Sequence, residues 1–336
     1  MNPNINNENF DIDILQTTSQ LTLANRWDHF LKRMGINRNR ERVKPGLYAL
    51  GNPDPKSQIF VSANYTLSFD ALRTALDGID CYILVLDTKG INVWCAAGKR
   101  TFGTNELVKR ITLTGLRNVT TRKTLILPQL GGPGIAAHKV KKFSGFNVEY
   151  GPVRANDLPE YLKTHRATPE MRVVNFNLSD RLILVPTEFI QALLLILVLA
   201  LPLYFIVGLL PALAISAAFI AGVVLFPILL PWIPTPNFST KGFMLGVLIT
   251  LPFAVTAYFI NHDMVLWQRA GWSLVYILIL TPITAYLALS FTGATTFTSK
   301  SGVKREIFAY IPKMAWMLGG GIALSVTFVL LNLLGE

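Results

Sequence analysis

Residues 81–100 read CYILVLDTKGINVWCAAGKR. The first six are apolar without alternation, the pattern of a short strand buried on both faces. Asp87 closes the run, Lys89–Gly90 makes a turn, and Asn92 is an N-cap residue type in front of a short helix at 93–98. A buried strand that passes through a tight turn into a helix is the repeating unit of an α/β sheet. In such sheets the carboxyl end of the strand is the edge where ligands bind. Cys95 falls in the first turn of that helix and Lys99 follows it, an electropositive setting of the kind that surrounds reactive thiols.

The flanking sequence repeats the unit. Strands are expected at 58–63 (QIFVSA), 124–129 (TLILPQ) and 146–150, and helices at 69–76, 104–111, 133–142 and 156–163. This alternation predicts an α/β, Rossmann-like domain whose parallel sheet is covered on both faces. The stretch 171–178 (MRVVNFNL) alternates in period two and reads as an extra edge strand. Residues 1–44 are polar and irregular, with a short amphipathic helix expected at 23–34. The α/β domain is expected over 45–184.

From there the composition changes. Apolar stretches at 185–208, 211–232, 242–260, 272–291 and 307–334 are each about the ~20 residues that cross a bilayer core, so 185–336 reads as an all-α transmembrane bundle of about five helices. Prolines such as Pro202 and Pro252 lie inside spans, which membrane helices tolerate. The spans are almost free of ionisable residues, and Glu188 and Asp263 fall near ends, which argues for an anchor or scaffold over a conduction path. With the N-terminal domain inside, the inner loops carry Lys241, Lys300, Lys304, Arg305 and Lys313 and the outer ones only Arg269. That asymmetry predicts a multi-pass protein of the cytoplasmic membrane with its N-terminal domain cytoplasmic and its C-terminus outside.

Of the 31 Lys and Arg, 25 lie in the first half through Arg181, against 16 of the 20 Asp and Glu, a net of +9 there. Such a surface suits anionic membrane lipid or acidic partners. No basic stripe is interleaved with aromatics, so nucleic acid is not expected as a partner. The first 20 residues lack the charged start and apolar core of a secretory signal. Cys81 and Cys95 are the two cysteines and form no CxxC pair, so this chain builds neither an iron–sulfur cluster nor a cysteine zinc site.

Three readings of Cys95 compete. Gly98–Lys99 has the GK of a phosphate loop, but that motif needs glycine where Val93 stands and Ser or Thr where Arg100 stands. Cys95 as a small buried hydrophobe in an apolar turn is the commoner fate of a free cysteine. The third is a metal-ligating thiolate.

The segment NVWCAAGK (92–99) resembles the N(V/I)WCA(A/G)GK signature of mercury-methylating corrinoid proteins. SANYTLSFDALR (62–73), ILPQLGGPGIAAHKVKK (126–142), FNVEYGPVRANDLP (146–159) and the MRVVNF…DRLILVP approach to the membrane resemble that family in order, as do five transmembrane helices after a corrinoid domain. The α/β domain is also similar to the corrinoid domain of the acetyl-CoA-pathway corrinoid iron–sulfur protein. The resemblance implies a corrinoid cofactor with Cys95 as the lower axial ligand of cobalt, on a cap helix whose Asn92, Val93, Trp94, Ala96, Ala97, Gly98 and Lys99 lie at the ring. It further implies contacts from Asn64, Thr66 and Ser68 and from Leu130, Gly131 and Gly132. None of His29, His138, His165 and His262 sits in the DxHxxG motif of histidine-ligated cobalamin proteins.

The implied activity is a corrinoid-dependent methyltransferase that delivers methyl from a Cys-ligated methyl-cobalt centre to Hg(II), producing methylmercury. A thiolate is a soft donor; trans to methyl it favours departure with carbanion character toward an electrophile. Implied partners are a ferredoxin-like protein with two 4Fe–4S clusters, as reductant and mercury donor, and a methyl-folate-dependent methyltransferase. The alternatives are a membrane-bound corrinoid methyl carrier of one-carbon metabolism with another acceptor, and a non-catalytic membrane-anchored binding protein.

Overall fold

The structure, a computed structural model, describes residues 13–36, 42–295 and 298–334. The chain divides into two compact units, Met1–Lys32 with Ile36–Val174, and Arg33–Gly35 with Asn175–Glu336.

The first unit is built from β1 (Ile14–Thr17), α1 (Leu23–Arg33), β2 (Gly46–Leu50), β3 (Gln58–Ala63), α2 (Thr66–Ala75), β4 (Cys81–Leu86), α3 (Val93–Gly98), α4 (Thr104–Leu113), α5 (Leu116–Val119), β5 (Thr124–Leu127), α6 (Ala137–Ser144), β6 (Asn147–Tyr150) and α7 (Leu158–Thr164). The strands form one sheet in the order β1-β2-β4-β3-β5-β6. Ile59, Val61, Leu84, Leu125 and Leu127 turn toward α4 and α6, where Leu107, Ile111 and Val140 cover them. Phe60, Ile83, Val85 and Ile126 turn the other way, onto Phe69 and Leu72 of α2, Leu76 at its C-terminal cap, and Leu158 and Tyr161 of α7. Successive strand residues alternate between the two cores, so continuous apolar runs are what this sheet needs. Burial of each large side chain there contributes about 1.5–3 kcal/mol.

The sheet is mixed, which corrects the expectation of a wholly parallel one: β2 pairs antiparallel with β4, while β3–β4, β3–β5, β5–β6 and β1–β2 are parallel. The segment 51–57 between β2 and β3 is too short to carry a crossover, so the two strands must run in opposite directions. The stretch 171–178 forms no strand. Met171 lies in a 3-10 turn, Glu170–Arg172, and one backbone bond, Val153 N to Met171 O at 2.8 Å, stands where a ladder was expected. Phe176 then takes φ 46°. Its buried residues, Met171 and Phe176, are an odd number of positions apart, which no period-two strand allows. The helix expected from 133 starts later, at Ala137, because 129–134 form a 3-10 turn drawn against Phe102. A Cβ at Gly134 would lie 2.0 Å from Phe102 O, and one at Gly131 2.6 Å from Phe102 Cε1.

The second unit comprises α8 (Leu178–Leu182), α9 (Val185–Ile206), α10 (Leu209–Ile220), α11 (Phe226–Leu229), α12 (Phe238–Ile260), α13 (Leu266–Ser290) and α14 (Lys300–Leu334). Among the described residues, five helical segments are long and apolar enough to cross a membrane: Leu178–Ile206, Leu209–Leu229, Phe238–Ile260, Leu266–Ala294 and Lys300–Leu334. They coincide with the five expected spans, with ends shifted by a few residues. A π turn at Ala221–Leu225 joins α10 to α11, ahead of Pro227, which has no N–H to continue a regular ladder. α12 meets α13 along Gly242, Gly246 and Thr250. A Cβ at Gly242 would lie 2.6 Å from Ala285 Cα, and Thr250 and Thr281 hydroxyls are 3.2 Å apart. Small residues every fourth position let two membrane helices approach closely.

Candidate functional site

From β3 the chain passes through α2 to β4 on one side. It then crosses to β5 on the other side of β3, so the winding reverses between β3 and β5. Open α/β sheets bind ligands at such a reversal, outside the carboxyl ends of the strands. Here β3 and β5 share one register pair, Phe60 with Ile126. Beyond it the strands diverge and a cavity of about 310 Å³ opens. Its walls include Ser62 of β3, Ser68 and Ala71 of α2, Leu130 and Leu158, and the first turn of α3 closes one side with Asn92, Val93 and Trp94.

Two asparagines put α3 there. Asn64 follows β3 and is 2 % exposed. Its Oδ1 accepts from Thr88 N at 2.9 Å and Gly90 N at 3.0 Å, with the Thr88 hydroxyl at 2.8 Å, and its Nδ2 donates to Asp87 at 3.1 Å. The loop leaving β4 is thereby tied to the end of β3, with Lys89 and Gly90 in the left-handed region at φ 59° and 72°. Asn92 then caps α3: its Oδ1 accepts from Cys95 N at 2.9 Å. Replacing Asn92 with alanine removes this acceptor. Such a loss costs about 1 kcal/mol, and we expect faster hydrogen exchange at Cys95 with the rest of the sheet unchanged.

On α3 the residues divide by face. Ala96 and Ala97 are buried, and Ala96 O accepts from Thr101 N and Phe102 N as the helix ends. Ala97 Cα lies 3.1 Å from where a Cβ on Gly134 would stand, so small side chains here let α3 pack directly on the 129–134 turn. Trp94, Cys95, Gly98 and Lys99 are exposed. The exposure of Cys95 removes its reading as a buried hydrophobe. Cys95 stands next to the cavity's Trp94 wall without lining the cavity itself.

The structure thus brings Asn92, Val93, Trp94, Ser68 and Leu130 around one cavity. Thr66 instead bonds Asp28 of α1 at 2.8 Å. Gly131 is buried under Phe102, and Gly132 faces Tyr150. Ala71, Val153 and Leu158 line the cavity as well and were not singled out in the sequence. No local pattern marks them, since they come together only when α2, α7 and the turn after β6 pack at the sheet edge.

Cys81 differs from Cys95 in every respect. It opens β4 with 0 % exposure, and burial, followed by the charge of Asp80, pushes its thiol up to about 12. At pH 8 it stays protonated as well as hidden. Iodoacetamide should therefore label one thiol, Cys95, in the native chain and two after denaturation, as counted by mass spectrometry.

Residues 34–162 match the family model of the CO dehydrogenase/acetyl-CoA synthase delta subunit. The matched segment holds β2 through most of α7, with the cavity and α3, and stops before the apolar half. Among curated relatives, the acetyl-CoA decarbonylase/synthase complex subunit gamma of Methanopyrus kandleri is 33% identical over 129 residues, 38% of this chain and 27% of that one. The gamma subunit of Methanothermobacter thermautotrophicus is 30% identical over 130 residues, 37% and 27% of the two chains. The corrinoid/iron-sulfur protein large subunit of Moorella thermoacetica is 23% identical over 129 residues, 38% and 28%. The chain spans about a quarter of the length of the curated relatives it matches. The α/β unit is therefore similar to subunits of acetyl-CoA-forming and corrinoid/iron–sulfur complexes.

Whether such a site suits a metal cofactor depends on the donors present. Among the described residues no group of three or more His, Cys, Asp or Glu is placed to hold a metal ion. Beside the cavity stands one soft donor, the exposed Cys95. A metal that brings four donors in a macrocycle needs only one axial ligand from protein, and this donor set fits that requirement.

Proposed function

We propose that the α/β unit binds a corrinoid beside α3, with Cys95 as the lower axial ligand of cobalt, and that the protein transfers a methyl group to Hg(II), producing methylmercury. The observation that carries this reading is the position of NVWCAAGK: its cysteine is exposed on a short helix at the rim of the switch-point cavity. The similarity of residues 34–162 to corrinoid/iron–sulfur and acetyl-CoA synthase subunits supports the cofactor class. When bound, a methylated cobalt corrinoid supplies the transferable methyl group.

The chain's own residues do the rest. Cys95 would hold the metal through its sulfur, a soft donor of the kind that favours transfer to an electrophilic acceptor. Asn92 fixes the turn that carries it. Ala96 and Ala97 anchor that turn to the 129–134 segment, and Val93 and Trp94 form the wall shared with the cavity. Gly98 and Lys99 complete the exposed face of α3, Ser68 and Leu130 line the cavity beside it, and Asn64, Thr66, Gly131 and Gly132 brace the loops around it. A ferredoxin-like partner with two 4Fe–4S clusters would return cobalt to its reduced state and pass on mercury, and a methyl-folate-dependent methyltransferase would supply methyl. The five apolar helices anchor the protein in the cytoplasmic membrane. The basic residues of the inner loops, Lys241, Lys300, Lys304, Arg305 and Lys313 against Arg269 outside, support a cytoplasmic α/β unit and an outer C-terminus.

The names of the relatives favour a second reading: a methyl carrier of one-carbon metabolism with another acceptor. Both are tested on the full chain, purified anaerobically in lipid nanodiscs and incubated with methylcobalamin. Corrinoid that remains bound through gel filtration, with methyl passing to Hg(II) and not to thiols or amines, supports the mercury reading. Transfer to a thiol alone supports the carrier, and failure to retain corrinoid leaves a non-catalytic binding protein.

A further inference from the structure

The second unit holds two buried cations that methyl transfer does not use. Arg181 of α8 is 5 % exposed and Lys241 of α12 is 9 % exposed. Arg181 Nη1 donates to Pro227 O at 2.9 Å and Ile228 O at 2.7 Å. Lys241 Nζ donates to Leu230 O at 2.6 Å and Ile233 O at 2.7 Å. These carbonyls end the second span, where a helix terminus is electronegative, so capping explains part of the arrangement. It does not explain all of it. Guanidinium carries five N–H groups and ammonium three, more than these carbonyls take up.

Both cations line one cavity of about 390 Å³, together with Asn175, Asn177 and Thr235. Its walls contain no acidic side chain. A roomy space with two positive charges, three neutral hydrogen-bonding side chains and no negative charge is complementary to an anion with several oxygens. The cavity also lies where three spans end: Leu178–Ile206 and Phe238–Ile260 begin there and Leu209–Leu229 finishes. Trp232, 66 % exposed, stands 5.9 Å from the Arg181 guanidinium, and exposed tryptophan marks the headgroup level of a bilayer. Leu230 and Phe238 supply an apolar flank.

We propose that this cavity binds the phosphate-bearing headgroup of an anionic phospholipid. The inference stands independently of the corrinoid reading. Native mass spectrometry of the full chain, released from nanodiscs of phosphatidylglycerol or phosphatidylcholine, reads it directly. The wild type should retain phosphatidylglycerol about tenfold better than phosphatidylcholine, the ratio that a charge-assisted hydrogen bond of ordinary strength provides. Lys241→Gln should reduce that preference. Because Lys241 also caps a helix, Asn175→Asp is the sharper variant: Asn175 is exposed, its change leaves the cation–carbonyl bonds intact, and it adds a repelling carboxylate. Asn175→Asp should melt like wild type yet lose the preference. Equal retention of the two lipids, or an unchanged preference in Asn175→Asp, would overturn the proposal. So would displacement of the lipid by millimolar inorganic pyrophosphate, which would assign the cavity to a soluble anion.

Discussion

Cys95→Ala should abolish thiolate ligation of a bound corrinoid and lower methylmercury formation by at least about a hundredfold, since even loss of a residue behind a metal ligand costs 10–100-fold. The same substitution should leave the fold alone. Cys95 is exposed, and the one hydrogen bond that Asn92 makes to it is to its backbone nitrogen, which alanine keeps. Surface substitutions of this kind stay within about 0.5 kcal/mol. The visible spectrum of the methylcobalamin-loaded chain and its thermal melt, recorded side by side, separate the roles. A changed spectrum with an unchanged melt assigns Cys95 to the metal. An unchanged spectrum with normal corrinoid retention would remove the axial-ligand role and with it the argument for an electrophilic acceptor. Cys95→Ser sharpens the comparison, because a hydroxyl occupies nearly the same space and is a much harder, weaker donor.

Much of this site could be read in the sequence because local chemistry wrote it there. The strand–turn–helix at 81–98 needs an apolar run, a Lys-Gly turn and an asparagine cap, and all three lie within one short segment. β4 and α3 fall where those residues put them. The five apolar helices were equally plain, since a bilayer core demands long uninterrupted runs. What escaped depends on partners distant in sequence. β2 (GLYAL) is too short to signal itself and is a strand because β4 offers it an antiparallel edge. The period-two look of 171–178 was local, and a buried Phe176 at positive φ overrode it. The resemblance placed Ala96 and Ala97 at the cofactor, where small side chains allow close approach. The structure gives their size a second reason, close packing on a glycine-rich turn that residues 81–100 do not contain. The anion cavity was invisible for the same cause. Arg181 and Lys241 lie sixty residues apart, and only the return of the second span brings them together.

Asn64→Ala should have the largest effect on stability of any single change near the site. Alanine leaves Thr88 N and Gly90 N, both in buried residues, without the oxygen they share. An orphaned buried donor costs about 1–3 kcal/mol, so the loss should be about 3 kcal/mol, against a total stability of about 5–15 kcal/mol. For a unit of this size that corresponds to roughly 6–12 °C in melting temperature, measurable by circular dichroism on corrinoid-free protein. Asn64→Asp separates the two halves of the amide. Its oxygens can still accept from both backbone groups, but the bond to Asp87 is replaced by a repulsion between two carboxylates, so a smaller loss that shrinks as pH falls below the carboxylate range is expected. The sign follows from that repulsion: protonation of either carboxyl relieves it, so the variant gains stability on acidification relative to wild type. The absence of cofactor in these melts is what makes them decisive. A residue whose work is to touch a ring would weaken binding and leave the empty protein as stable as before. A residue that ties the end of β3 to the loop leading into α3 lowers the melt with nothing bound, and it loosens Cys95 without being in contact with it.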